Sequence, residues 1–179
     1  MLPTGTAIAR ALEDADARPG PTFAPGALVI ASVEYPALVA SRYLAELDTL
    51  GDQALAEVAT RAGVEGPVHA RIEAINRCLF GTLGFRGNRQ QYGDIRNSCL
   101  NQVIDRRTGI PITMAIVYME VARRAGLRAE GINFPGHFLV RVWDGAAGAD
   151  GGAGLIVDAF NDGAILTEQD CRALLARDE

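Results

Sequence analysis

The chain has 179 residues, 49% of them apolar and 22% charged, with a formal net charge of −5 and a pI near 5.1. That length and apolar content support one packed domain and exclude a disordered chain. An acidic chain whose arginines are scattered lacks the clustered positive field that phosphate backbones require, so nucleic acid is not an expected partner. All 17 basic residues are Arg, which removes Schiff-base chemistry and a P-loop lysine, since both need a primary amine on the side chain.

Three cysteines, Cys78, Cys99 and Cys171, have no CxxC spacing and no nearby His, so neither zinc nor a disulfide scaffold is expected. With His69 and His137 far apart as the two histidines, no metal and no cofactor are expected. Met1 to Pro25 has Pro and Gly in place of the continuous apolar region of a signal peptide, and the uncharged apolar run Gly109 to Met119 is about half the length needed to cross a bilayer. A cytoplasmic protein with reduced thiols and no membrane partner is the expectation.

In chain order, 1–24 is expected to be a flexible tail, with a single domain over 25–179. Gly26 to Tyr35 fits helix or strand by periodicity, but its length and alanines favour a helix ending before Pro36. Leu44, Leu47, Leu50, Leu55 and Val58 mark helix over Ser41 to Arg61, with Gly51 expected as a break between two segments. Val68, Ile72, Ile75 and Leu79 form another helical stripe, beside which His69 is expected to be a surface residue. Gly81 to Gly93, rich in Gly, Arg, Asn and Gln, is expected to be a loop. Asn97 is expected to cap a helix carrying Leu100, Val103 and Ile104. Pro111 suits the first turn of the next helix, whose nearly continuous apolar surface to Ala125 marks a buried central element. Glu120 and Arg124, four apart, form an expected ion pair of a few tenths of a kcal/mol at its exit.

From Leu127 the period becomes two. Leu127 to Asn133, His137 to Trp143 and Leu155 to Ala159 are expected strands, the last two joined by the loop 144–154 as an antiparallel hairpin. Asn161-Asp162-Gly163 is a turn, and Thr167 with Asp170 opens a final helix. Helices followed by an antiparallel sheet define an α+β domain.

His137 opening one strand and Asp158 ending its neighbour are brought side by side within about two residues of register. A carboxylate on one imidazole nitrogen fixes the tautomer and leaves the other free to act as a base. The alternative is that His137 is an ordinary strand-initiating residue and Asp158 a turn former.

The segments Asn97-Ser98-Cys99-Leu100-Asn101, Arg107-Thr108-Gly109-Ile110-Pro111-Ile112, Ala122-Arg123-Arg124-Ala125-Gly126-Leu127 and Phe134-Pro135-Gly136-His137-Phe138-Leu139-Val140 resemble the SirB-type branch of the transglutaminase-like superfamily, over roughly Gly26 to Arg172. The resemblance implies a papain-like core, a central helix packed on a small antiparallel sheet, with Cys at the helix start and His and Asp on successive strands. His137 and Asp158 match the family's His and Asp, the latter in Val157-Asp158-Ala159-Phe160, while the family's Gly-x-Cys falls on Gly109-Ile110-Pro111. Proline has neither thiol nor hydroxyl and forms no acyl intermediate. The branch looks similar in lacking that Cys. Its members often continue into C-terminal helical repeats, so this chain is either a short or a truncated member.

Three functions follow as expectations. The first is a non-catalytic module that binds a protein or peptide in a cleft walled by Asn97, Ile110, Pro111, Gly136, His137 and Asp158, with Phe134 and Trp143 as apolar contacts. The second is a cysteine hydrolase or acyl transferase with Cys99 as nucleophile, His137 as base and Asp158 as orienter. Cys99 sits at a helix start that favours a thiolate, although its neighbours Leu100 and Val103 also fit a buried, inert cysteine, the reading given to Cys78 and Cys171. The third is a platform for helical repeats or another subunit, through an apolar patch of Ile165, Leu166, Leu174 and Leu175.

Overall fold

The computed structural model describes Arg10, 23–144 and 154–176. Helices α1 (Ala24–Glu34), α2 (Ala40–Arg61) and α3 (Val68–Asn76) come first, the last running on into a π-helical turn over Arg77–Thr82. A short strand β1 (Arg86–Gly87), a 3-10 turn (Ile95–Ser98), α4 (Leu100–Arg106), β2 (Thr108–Gly109) and α5 (Pro111–Arg124) follow. The chain then becomes a sheet of β3 (Leu127–Phe134), β4 (His137–Asp144), β5 (Leu155–Asp158) and β6 (Ala164–Leu166), and α6 (Glu168–Leu175) ends the described part. The expected tail, 1–24, lies outside the described residues apart from Arg10, Phe23 and Ala24, as does most of the loop 144–154.

Helix α5 is the centre of the molecule. Ten of its 14 residues are buried, and it packs against α2 on one side and β3 and β4 on the other. The sheet runs β3-β4-β5-β6, antiparallel throughout. The mixed fold is α+β, as expected. Pro135-Gly136 makes the two-residue link between β3 and β4, where Phe134 pairs with His137. Gly136 has φ 64°, the left-handed value that the second residue of a type II turn requires and glycine adopts without strain. Leu139, on the same face as His137, is 1% exposed, so the sheet is covered on both faces at that point.

Gly51 does not break a helix: α2 is continuous across it. A Cβ at Gly51 would stand 2.4 Å from the Cβ of Arg124, so the glycine is there to let α2 and α5 approach. Propensity is local, and it loses here to a tertiary contact. Glu120 is likewise more than an exit ion pair. It is 2% exposed, and its Oε2 accepts from Arg124 at 2.6 Å and Arg123 at 3.1 Å. Its Oε1 accepts the backbone N–H of Ala24 at 3.2 Å, satisfying one of the free donors at the start of α1, where no neighbouring side chain acts as a cap. Burial is what makes this cluster matter, since a buried charge without partners is costly.

His69 is on the surface, 3.8 Å from Glu73. Cys78 is buried as expected, but Cys171 is only half-buried, on a helix with no buried residue. Thr167 and Asp170 form the expected capping box at the start of α6. Strand β6 is not expected from the sequence. At three residues it is too short to show a period. Among the described residues no helix is long and apolar enough to cross a membrane.

Candidate functional site

The β4–β5 register pairs Val140 with Val157, which puts Leu139 across from Asp158 and His137 two residues back on the same face. Diagonal neighbours in an antiparallel pair are within reach of long side chains. His137 Nε2 lies 2.9 Å from Asp158 Oδ2. The pair is close yet poorly aligned, with no acceptor along the Nε2–H direction. Such contacts often tighten only when a ligand is bound.

Asp158 divides its two oxygens between structure and site. Oδ1 accepts the backbone N–H groups of Phe160 (3.1 Å) and Asn161 (3.2 Å), capping the 3-10 turn Ala159–Asn161. Oδ2 faces the imidazole and accepts from Asn161 Nδ2. Asp158 therefore forms the turn with one oxygen and faces the imidazole of His137 with the other. Burial pushes its carboxyl up, but the contacts with His137 and Asn161 outweigh this and hold it below its ordinary value. Asp158 thus stands behind His137 as a buried carboxylate.

His137 opens onto a cleft of about 300 Å³ lined by Arg89, Tyr92, Pro111, Pro135, Gly136, His137, Phe160, Asn161 and Leu174. Pro111 comes to this wall as the first residue of α5. Its segment is set by Gly109, where a Cβ would stand 2.6 Å from Thr113 Oγ1. Thr113 in turn donates to the carbonyl of Asn97 (2.7 Å) and accepts from the N–H of Ile110 (3.1 Å). The Gly-Ile-Pro motif thus tucks the start of the helix against the preceding 3-10 turn.

The expected wall is corrected in several places. Pro111, Gly136 and His137 line the cleft; Asn97, Ile110, Asp158, Phe134 and Trp143 do not. Trp143 pairs with Arg128 toward the far end of β4, which removes it by distance along the strand. Ile110 is the extended residue before α5. Asn97 is not a helix cap either, since Cys99 holds that position for α4. It is fully buried, and its Nδ2 donates to the carbonyls of Gln91 (2.7 Å) and Tyr92 (3.2 Å) while Oδ1 accepts from Asn88 (3.0 Å). Asn97 therefore shapes the 88–92 segment that carries Arg89 and Tyr92.

Cys99 is 7% exposed and does not line the cleft. Burial raises its thiol, and the negative charge of Glu34 at the end of α1 adds to the effect. A thiol held up in this way is a poor nucleophile near neutral pH.

The residues that sequence reasoning missed come from two places. Arg89 and Tyr92 belong to the polar stretch expected to be a loop, and loops on a rigid scaffold are where binding residues concentrate. Phe160 and Asn161 directly follow Asp158, in a segment weighed for its carboxylate alone. Tyr92 and His137 each pack edge-on to Phe160, with ring centres 6.1 and 6.0 Å apart. The Arg89 guanidinium lies 5.3 Å from the centre of the same ring and donates to Asn161 Oδ1. A series of contacts thus runs from Arg89 through Asn161 and Asp158 to His137.

A central helix on an antiparallel sheet, with a His–Asp pair on adjacent strands facing the helix start, is the arrangement of a transglutaminase-like domain. The chain matches the transglutaminase-like superfamily over residues 41–179 and belongs to it. It is 42% identical over 146 residues to a UPF0162 protein of Xylella fastidiosa, covering 82% of this chain and 48% of the relative. A UPF0162 protein of Pseudomonas aeruginosa is 32% identical over 164 residues, 92% of this chain and 56% of the relative. F-box only protein 21 of Mus musculus is 44% identical over 108 residues, 59% of this chain and 17% of that protein. The chain spans about half the length of these UPF0162 relatives. No solved structure matches it.

Proposed function

We propose that this is a non-catalytic transglutaminase-like domain, of the SirB-type branch, that binds a peptide or a protein segment in the cleft beside His137. One observation carries the reading: none of the nine cleft-lining residues bears a thiol or an aliphatic hydroxyl, and proline stands where the family's cysteine is expected. Without a thiol or an aliphatic hydroxyl, the His–Asp pair lacks the kind of side chain it would activate to form the acyl intermediate of a cysteine or serine enzyme. What remains is a small cleft that sets the rings of Tyr92 and Phe160 and the side chain of Leu174 beside the polar groups of Arg89, His137 and Asn161, a mixture suited to recognition.

The match to F-box only protein 21 supports a modular role, because there the shared stretch is a small part of a much longer protein. The free cysteines support a reducing compartment, and we assign the domain to the cytoplasm on that ground. The alternative, a hydrolase or acyl transferase using Cys99, needs a thiol near the imidazole and is disfavoured by the burial of Cys99.

The test is turnover. Incubation with peptide amides, esters and thioesters is expected to give no product above background, while a peptide library yields binders that Tyr92→Ala weakens. Hydrolysis or acyl transfer by the wild type, abolished in His137→Ala, ends the reading.

A further inference from the structure

The charge of the cleft opposes that of the molecule. The sequence has 22 acidic residues against 17 basic, yet among the described residues no Asp or Glu lines the cleft, whose ionisable polar groups besides the Tyr92 phenol are Arg89 and His137. Pro111, on the same wall, is the first residue of a 14-residue helix, so the positive end of its dipole is there as well. Asp158, the carboxylate in contact with His137, is buried behind it and turned to that ring and to the 3-10 turn.

Arg89 is also held ready. Its guanidinium lies over the Phe160 ring and donates to Asn161, whose other amide atom is committed to Asp158. Among the described residues no carboxylate pairs with Arg89, whereas Arg106, Arg107 and Arg124 all have acidic partners. A guanidinium has five N–H donors in a fixed fork that matches the two oxygens of a carboxylate. Tyr92, Phe160 and Leu174 supply apolar surface next to it.

The geometry points to a ligand class: the cleft takes a short peptide segment that presents a carboxylate to Arg89 and lays an adjacent apolar side chain against Tyr92, Phe160 and Leu174. This rests on the peptide-binding reading above and adds the charge and the anchor. The carboxylate comes either from an Asp or Glu side chain or from the C-terminus of the bound peptide, and the same guanidinium serves both.

Calorimetric titration of the whole protein with acetylated, amidated tetrapeptides containing Leu-Glu or Leu-Gln, and with their free-acid counterparts, tests it. The expected result is that at least one carboxylate form, side chain or terminus, binds about tenfold or more tightly than the neutral form, the difference expected for a charge-assisted hydrogen-bonded pair. Which form gains names the source. Arg89→Gln should abolish the ratio between acidic and neutral peptides, Arg89→Lys should keep part of it, and Arg89→Glu should reverse it toward Leu-Lys. A purely structural role for Arg89 through Asn161 would weaken all peptides alike and leave the ratio intact. Binding without any carboxylate preference, or a ratio unmoved by Arg89→Gln, overturns the inference while leaving the peptide cleft standing. No binding by any of the peptides overturns both.

Discussion

Replacing Pro111 by Cys restores the residue that the family pattern places at the start of the helix, and the structure says how such a thiol should behave. Position 111 is the first residue of α5 and shares the cleft wall with His137. A helix N-terminus and an imidazolium each favour thiolate, and together they bring thiols from about 8.5 down to the range of roughly 3.5–7.5. Taking about 6.5, at pH 6 about a quarter of the thiol is ionised against ~0.3% for an ordinary cysteine, roughly 80-fold more. Intrinsic nucleophilicity falls with basicity, by about eightfold for two pH units, so the net gain in exchange with dithiodipyridine is about tenfold at pH 6 relative to a cysteine in an unstructured peptide blocked at both ends. Near pH 9 both thiols are largely ionised and the order reverses, with the introduced thiol slower by about sixfold. The crossing is the diagnostic, and His137→Ala in the same background should flatten it. Pro111→Cys reacting at the reference rate at pH 6, with or without His137, would show that the position does not face the imidazole from a positive helix end. The account of a silenced nucleophile would then fail.

The other predictions concern stability and the remaining thiols. Glu120→Ala removes the buried carboxylate that gathers Arg124, Arg123 and the Ala24 N–H, and, because Arg124 keeps its ion pair with Asp48, should cost about 1–3 kcal/mol in chemical denaturation; a loss below about 0.5 kcal/mol contradicts the cluster's role. Gly51→Ala gains about 1 kcal/mol of helix propensity but puts a Cβ 2.4 Å from that of Arg124, and an overpacking cost of about 1–3 kcal/mol should leave it destabilised. A rise in melting temperature refutes this. The Asp158 carboxyl is held below its unfolded value, so its contribution is present above that value and is lost as pH falls through the lower folded one. Acid titration of folding stability should therefore show a loss in the wild type, below about pH 4, that Asp158→Asn lacks; parallel acid limbs count against it. Cys99, buried and raised, should react slowly with iodoacetamide at neutral pH, and fast alkylation mapped to Cys99 by mass spectrometry revives the thiol-enzyme alternative.

Much of the scaffold was legible because it is written in local periodicity. The apolar run after Pro111 could only be a buried helix, and Thr167 with Asp170 announced the last helix by hydrogen bonds three residues apart. Alternation from Leu127 onward brought out β3, β4 and β5, and with them the pairing of His137 and Asp158 to within two residues. Where reading along the sequence failed, the deciding contact lay far away in it. Gly51 looks like a helix break until Arg124, 73 positions on, is seen to need the space. Asn97 has the composition of a cap, but its amide ties down the 88–92 segment.

The sequence alone determined the α+β class, the buried central helix and the absence of a thiol at its start, because each depends on residue type at a fixed spacing. Which residues wall the cleft was decided only in three dimensions. Arg89 and Tyr92 meet Phe160 and Asn161 across about 70 positions of sequence, through a ring contact, a guanidinium–amide bond and a buried asparagine that no periodicity records.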